Sequence, residues 1–320
     1  MENRNSTTSD ERVAVILPCF NEEQAIVKVI EDFKQSLPDA VIYVFDNNSS
    51  DRTAEVSAAA GATVVHVDLP GKGNVIRRMF ADIEADIYVM ADGDDTYEAA
   101  VAQSLIDKLV ADSLDMVVGC RVDAGESENY RRGHRFGNRL LTGSVRRIFG
   151  GEFTDMLSGY RIFSRRFVKS FPALARGFEI ETELTVHALE LRMPCGEVVT
   201  KYGSRPEDSE SKLSTYRDGF RILKTIIRLY MVERPLQFFS LISFALAALS
   251  VILAIPLFQE YLATGLVPRF PTAILSTGLM LSGLLSFVCG LLLDSVTRGR
   301  QELRRFTYLS IPGINPSHQK

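Results

Sequence analysis

The chain has 320 residues, 46% of them hydrophobic, and a formal net charge of −4, enough for about two structural units with a genuine core. Its four cysteines, Cys19, Cys120, Cys195 and Cys289, stand singly with no C-x-x-C pair, which excludes a zinc knuckle and a secreted disulfide framework and points to a reducing compartment. Residues 1–200 carry 22 basic and 32 acidic groups while residues 201–320 carry 14 and 8; an acidic body with a basic C-terminal part argues against nucleic acid as partner and for contact with an anionic surface.

Met1 to Glu11 is polar, and the apolar run from Val13 is interrupted by Pro18 and Asn21, so no cleavable signal is expected and the large domain stays in the cytoplasm. Short β-branched runs then alternate with helical stretches. Strands are predicted at Val13 to Leu17, Val41 to Phe45, Ala62 to Val67, Ile87 to Ala91 and Met116 to Gly119, with helices after Asn21 and Ser50. Strands separated by helices imply a mostly parallel sheet, which binds ligands beyond the carboxyl ends of its strands. The polar residues placed there are Asn21 and Glu22, Asp46 with Asn47 and Asn48, and Asp92 with Asp94 and Asp95. No G-x-G-x-x-G follows the first strand and no G-x-x-x-x-G-K-[ST] occurs, which argues against a dehydrogenase or a P-loop NTPase. Asp92 and Asp94, one residue apart after a buried strand, can jointly hold a hard divalent cation, although Asp-Gly is also ordinary turn chemistry.

Beyond this cytoplasmic domain, residues 1–213, the segment 214–234 places Tyr216, Phe220, Leu223, Ile227 and Tyr230 at helical spacing with basic residues alongside, as in an interfacial amphipathic helix. Two uncharged runs follow, Leu236 to Phe258 and Ala273 to Leu293. The first, of 23 residues, makes about 34 Å of helix, close to a bilayer's hydrocarbon thickness. Together they predict a transmembrane hairpin over 235–297, with small residues at Ser282, Gly283, Ser286 and Gly290 for close helix approach. Arg221, Lys224, Arg228 and Arg234 precede it and Arg298, Arg300, Arg304 and Arg305 follow in a basic tail, 298–320, whereas the linking loop offers only Arg269. The positive-inside rule puts both termini in the cytoplasm, as a multi-pass protein of the cytoplasmic (inner) membrane.

The ordered set Pro18-Cys19-Phe20-Asn21-Glu22, Asp46-Asn47-Asn48-Ser49-Ser50-Asp51-Arg52-Thr53, Gly71-Lys72-Gly73 and Asp92-Gly93-Asp94 resembles inverting glycosyltransferases of family 2. Asp155-Met156-Leu157-Ser158-Gly159-Tyr160-Arg161, and Arg205 with Ser209, Ser211, Lys212 and Leu213, resemble segments of the polyprenyl-phosphate glycosyltransferases, the dolichyl-phosphate mannose synthase group. The resemblance implies an α/β, Rossmann-like nucleotide-sugar-binding domain of glycosyltransferase A type followed by the hairpin. It implies transfer of a hexose from UDP- or GDP-hexose to undecaprenyl or dolichyl phosphate at the cytoplasmic membrane face, in cell-envelope glycan biosynthesis. Pro18, Asn21, Glu22, Asp46, Lys72 and Asp92 then fall at the donor, with Asp46 accepting hydrogen bonds from the base. Asp92 and Asp94 would hold Mg²⁺ or Mn²⁺, Asp94 and Asp155 would serve catalysis, and Arg121, Arg131, Arg135, Ser158, Arg161, Arg205 and Lys212 would meet the acceptor phosphate. Asp155 is either a weak base or the residue that orients an arginine. The first-turn acids from Glu179 to Glu183 read as a solvated helix start.

Thr96 stands where many relatives have a glutamine, which leaves a third metal ligand open, and the absence of tryptophan excludes the Q-x-x-R-W motif of processive synthases. A catalytically silent nucleotide-sugar-binding scaffold and a nucleotidyltransferase are the rival readings. The sugar, the base and the oligomeric state are not specified by the sequence, and a homo-oligomer is compatible with it.

Overall fold

A computed structural model describes residues 11–122, 142–150, 153–173, 177, 179–201, 203, 224 and 227–314. Arg131, Arg135, Arg205, Lys212 and most of the expected interfacial helix lie outside the described residues; of that helix, residues 227–233 are described and helical. The chain divides into two compact units, one of residues 1–219 with 304–320 and one of residues 220–303.

In the first unit, β1 (Val13–Cys19), β2 (Val41–Asp46) and β4 (Ile87–Met90) are buried along most of their length, as expected of parallel strands covered on both faces. Their covering helices bury one stripe each: Ile26, Val29, Ile30 and Phe33 on α1 (Ile26–Ser36), and Val75, Ile76, Met79 and Phe80 on α3 (Lys72–Asp82), the spacing of an amphipathic helix. With β3 (Thr63–His66), α2 (Thr53–Ala59), α4 (Ala102–Ala111) and β5 (Met116–Val122), these follow the predicted order.

Two further strands were not foreseen. β6 (Arg161–Ser164), preceded by a helix α5 over 142–149, and β7 (Cys195–Lys201) complete a seven-stranded sheet ordered β3-β2-β1-β4-β6-β5-β7. β6 runs antiparallel to both β4 and β5, with Arg161 opposite Met90 and Val118. Its amino end therefore lies at the carboxyl edge of β4, so the Asp155–Tyr160 loop joins the loops after β1, β2 and β4 at one edge. α6 (Arg165–Ser170) and α7 (Ile180–Leu191) then cover the sheet.

Residues from Arg304 onward belong to this unit. Buried Asp115 is the hub: Ser164 Oγ, Arg166 and, at 2.8 Å, the Tyr308 hydroxyl all donate to its carboxylate, and the Arg166 guanidinium lies over the Tyr308 ring. Arg304 pairs with Glu190 at 2.9 Å. Nearby His187 is buried between Phe167 and Phe171 with Ser170 Oγ 3.1 Å from Nε2. Burial, reinforced by the Arg304 charge, pushes its pKa down to about 3. An unfolded histidine binds a proton near pH 6.5 and this one does not, so its contribution to stability is complete above pH 6.5 and is lost progressively as pH falls toward 3. Thermal melts should show a smaller drop between pH 7 and 4 for His187→Gln than for wild type; equal slopes would contradict this.

The second unit holds Pro235–Thr264 and, up to Leu303, Phe270–Leu309, two helices long and apolar enough to cross a membrane. The second continues past the expected span, so the basic stretch after Leu293 is helical as far as Leu309. Ser250 Oγ donates to the Ser276 carbonyl at 2.7 Å and Ser276 Oγ returns the bond to the Ser250 carbonyl at 3.0 Å. Gly283 and Gly290 let the helices close: an added Cβ would come within 3.1 Å of the Ser243 carbonyl and 2.9 Å of Phe239 Cβ. Large side chains such as Leu241, Phe244, Leu262 and Leu292 face outward and are exposed.

Candidate active site

Each loop at the carboxyl edge brings its polar residues to one place. After β1, Asn21 adopts a left-handed backbone (φ 55°); its Oδ1 accepts from the Ser50 amide at 2.8 Å and its amide donates to Ser49 Oγ at 2.9 Å. The Glu22 amide donates to Thr53 Oγ1, and Asp51 accepts from the Thr53 and Glu23 amides. The loops after β1 and β2 are thus laced together, with Asn21 a brace of the lacing and Pro18 half-buried opposite Phe45. Asn47 extends the brace, donating to the Val67 and Leu69 carbonyls and accepting from the Gly71 amide.

Asp46 ends β2 almost fully buried. Its Oδ2 lies 3.0 Å from His66 Nδ1, and its Oδ1 has no hydrogen-bond partner. A buried carboxylate oxygen without a donor is costly, by about 1–3 kcal/mol. His66 has no motif around it in the sequence, and its one signal is its place at the end of β3.

Gly71, with φ 115°, caps α3 and sends Lys72 inward. Lys72 Nζ lies 2.6 Å from Asp92 Oδ1 and 2.6 Å from Glu181 Oε1. Burial alone would lower the lysine pKa; the charges of Asp92 and Glu181 outweigh it and raise the pKa above its ordinary value. Glu181 is 5% exposed, with Oε2 lacking a hydrogen-bond partner, and so does not belong to a solvated helix start as its spacing suggests. Asp92 fits against Gly159, where a Cβ would stand 2.6 Å from Oδ2. Asp94 is buried and accepts from Thr96 Oγ1 and the Thr96 amide, so Thr96 holds this carboxylate in place.

Asp155 receives a bidentate Arg121, at 2.7 and 2.8 Å. Burial would raise its pKa, but the hydrogen bonds and charge of Arg121 prevail and hold it below the ordinary carboxylate range. The contact fixes the Arg121 guanidinium against this carboxylate. Arg161 differs from the expectation of an acceptor contact. It is fully buried and donates to the Ser158 and Met156 carbonyls and to Thr185 Oγ1. Burial lowers its pKa, against the opposing charges of Glu181 and Asp155. Ser158, also fully buried, donates to the Gly119 carbonyl at 2.6 Å. Both residues shape the 155–161 loop from behind.

Residues 14–171 match the family described as glycosyl transferase family 2. Glycosyltransferase AglJ of Haloferax volcanii is 32% identical over 299 residues, 93% of this chain and 98% of that protein. The chain belongs to glycosyl transferase family 2. A dolichyl-phosphate hexose transferase of the same organism is 27% identical over 69% of this chain and 95% of its own length. Among solved structures, glucosyl-3-phosphoglycerate synthase of Mycobacterium tuberculosis, in complex with Mn²⁺, UDP-glucose and phosphoglyceric acid, aligns at TM-score 0.55 and 25% identity over 68% of this chain and 79% of that one. The protein is therefore a glycosyltransferase, with the Rossmann-like domain of that family.

The donor set of this family 2 enzyme suits a hard divalent cation. Lys72 pairs with Asp92 and Glu181 and Arg121 with Asp155, and the carboxylates of Asp46 and Asp94 stand at the same strand edge. A diphosphate brought there needs added positive charge. Carboxylate oxygens are the ligands that Mg²⁺ and Mn²⁺ prefer. Among the described residues no three His, Cys, Asp or Glu side chains are grouped for a metal, and the Lys72 ammonium lies between the carboxylates of Asp92 and Glu181.

Proposed function

We propose that this glycosyltransferase moves a hexose from a nucleotide sugar to a polyprenyl phosphate at the cytoplasmic membrane face, with inversion at the anomeric carbon. The observation that carries the reading is the match to AglJ along nearly the whole chain, two long apolar helices included. Similarity to a dolichyl-phosphate hexose transferase supports the acceptor. Exposed leucine and phenylalanine on both helices supports the membrane, because such contiguous apolar faces are rarely left in water. The donor's base would meet Asp46 Oδ1 and its diphosphate Lys72. Asp92 and Asp94 would hold a divalent cation, which would supply charge stabilisation for the departing nucleoside diphosphate. The acceptor phosphate is already anionic near neutral pH, so attack needs placement and charge complement more than a base. The Arg121–Asp155 pair suits that task.

Incubating membranes that contain the protein with radiolabelled UDP- and GDP-hexoses and undecaprenyl or dolichyl phosphate should yield a labelled glycolipid. Label transferred solely to a water-soluble phosphate such as phosphoglycerate would overturn the lipid acceptor. Arg205→Ala should raise KM for polyprenyl phosphate at least tenfold, about 1.4 kcal/mol, with nucleotide-sugar affinity unchanged; equal KM values in detergent would reject Arg205 as an acceptor contact. For orientation, Leu266→Cys in the interhelical loop of a Cys289→Ser background should react with an impermeant maleimide from outside sealed cells, while tags at Met1 and Lys320 stay protected. Labelled tags and a silent Cys would invert the topology.

A further inference from the structure

Lys72 stands between two carboxylates in the way a metal ion would. Its Nζ is 2.6 Å from Asp92 Oδ1 and 2.6 Å from Glu181 Oε1, so these oxygens lie no more than twice that distance apart and share one cation. Both partners are held there. Asp92 fills the space left by the missing Cβ of Gly159, and Glu181 projects from the first turn of α7. Glu181 Oε2 is an independent pointer, since this side chain is more than nine-tenths buried and the second oxygen has no hydrogen-bond partner. A single ammonium leaves half of the carboxylate unused. A divalent cation, which takes six or more oxygen ligands, would use it. Thr96, two residues beyond Asp94, is itself engaged with the Asp94 carboxylate.

We infer that Glu181 is a carboxylate ligand of the divalent-cation site, and that the Lys72 ammonium occupies the seat of that cation until a donor diphosphate draws it away. The inference rests on the proposed cation at Asp92 and Asp94 and adds to it a third carboxylate and an order of events. Lys72 is the first residue of α3, beyond Gly71, so its side chain can leave by rotation about its own bonds. As a point charge on a flexible stem it suits a phosphate oxygen. Cation and nucleotide then help each other bind: the diphosphate removes the competing ammonium and supplies further oxygens, and by linkage the cation tightens the nucleotide by the same factor.

The test measures Mn²⁺ binding by electron paramagnetic resonance on the full chain in detergent, with Mn²⁺ alone and with saturating UDP or, separately, GDP. Lys72→Met should bind Mn²⁺ without nucleotide at least tenfold more tightly than wild type, and Lys72→Met/Glu181→Gln should lose that gain. Failure of either result overturns the inference. Should Lys72→Met not fold by circular dichroism, Glu181→Gln alone decides: at saturating UDP or GDP its Mn²⁺ affinity should be at least tenfold below wild type, and unchanged affinity overturns the inference. Asp92→Asn separates the two levels. Loss of Mn²⁺ binding there with none in Glu181→Gln leaves the proposed cation site standing and removes this inference, whereas full affinity in Asp92→Asn removes both.

Discussion

Asp92→Asn is expected to lower sugar transfer by about 10²–10³-fold, a loss of roughly 3–4 kcal/mol of transition-state stabilisation, while leaving the fold intact. The substitution keeps the shape that fits against Gly159 and removes one negative charge from a half-buried strand end. Lys72 keeps Glu181 as its counter-ion, so no buried charge is left alone and the folding cost stays small. What disappears is an anionic oxygen at the place where the leaving diphosphate must be neutralised. Initial rates with labelled donor and a thermal melt distinguish the two effects, and chelation of wild type with EDTA should reproduce the mutant until Mg²⁺ or Mn²⁺ is restored. Transfer within tenfold of wild type in the mutant, or full activity in exhaustive chelator, would refute the role.

The strand-end logic made Asp46, Asp92 and Asp94 legible, because an apolar β-branched run followed by acids at a parallel strand's carboxyl end has few other uses. Glu181 was not legible. Its spacing with Glu179 and Glu183 is that of a solvated first turn, and its partner Lys72 lies far away in sequence, brought near only by the way α7 packs against the sheet. Arg161 was visible as a motif residue but misplaced, since a sequence displays a charge without its depth. Nothing in R-I-F-S announced a short strand running backwards between β4 and β5. That reversal decides matters, because it puts the whole 155–160 loop at the active edge and turns the arginine after it into the core.

Arg161→Ala is therefore expected to act on stability rather than on acceptor affinity. The guanidinium is fully buried and makes hydrogen bonds to two backbone carbonyls and a threonine hydroxyl. Removing it strands those acceptors and takes a positive charge from between Asp155 and Glu181. Breaking a buried charge arrangement by deleting one member costs about 3–5 kcal/mol, and the cavity adds to it. For a domain of this size each kcal/mol moves Tm by about 2–4 °C, so a drop of roughly 10 °C or more should appear in a melt of the purified chain. Arg161→Lys should recover little, because an ammonium cannot match the fixed fork that reaches Met156 and Ser158 together. A mutant that melts with wild type yet shows a raised KM for polyprenyl phosphate would return Arg161 to the acceptor, and would mean that the 155–161 loop opens when lipid binds.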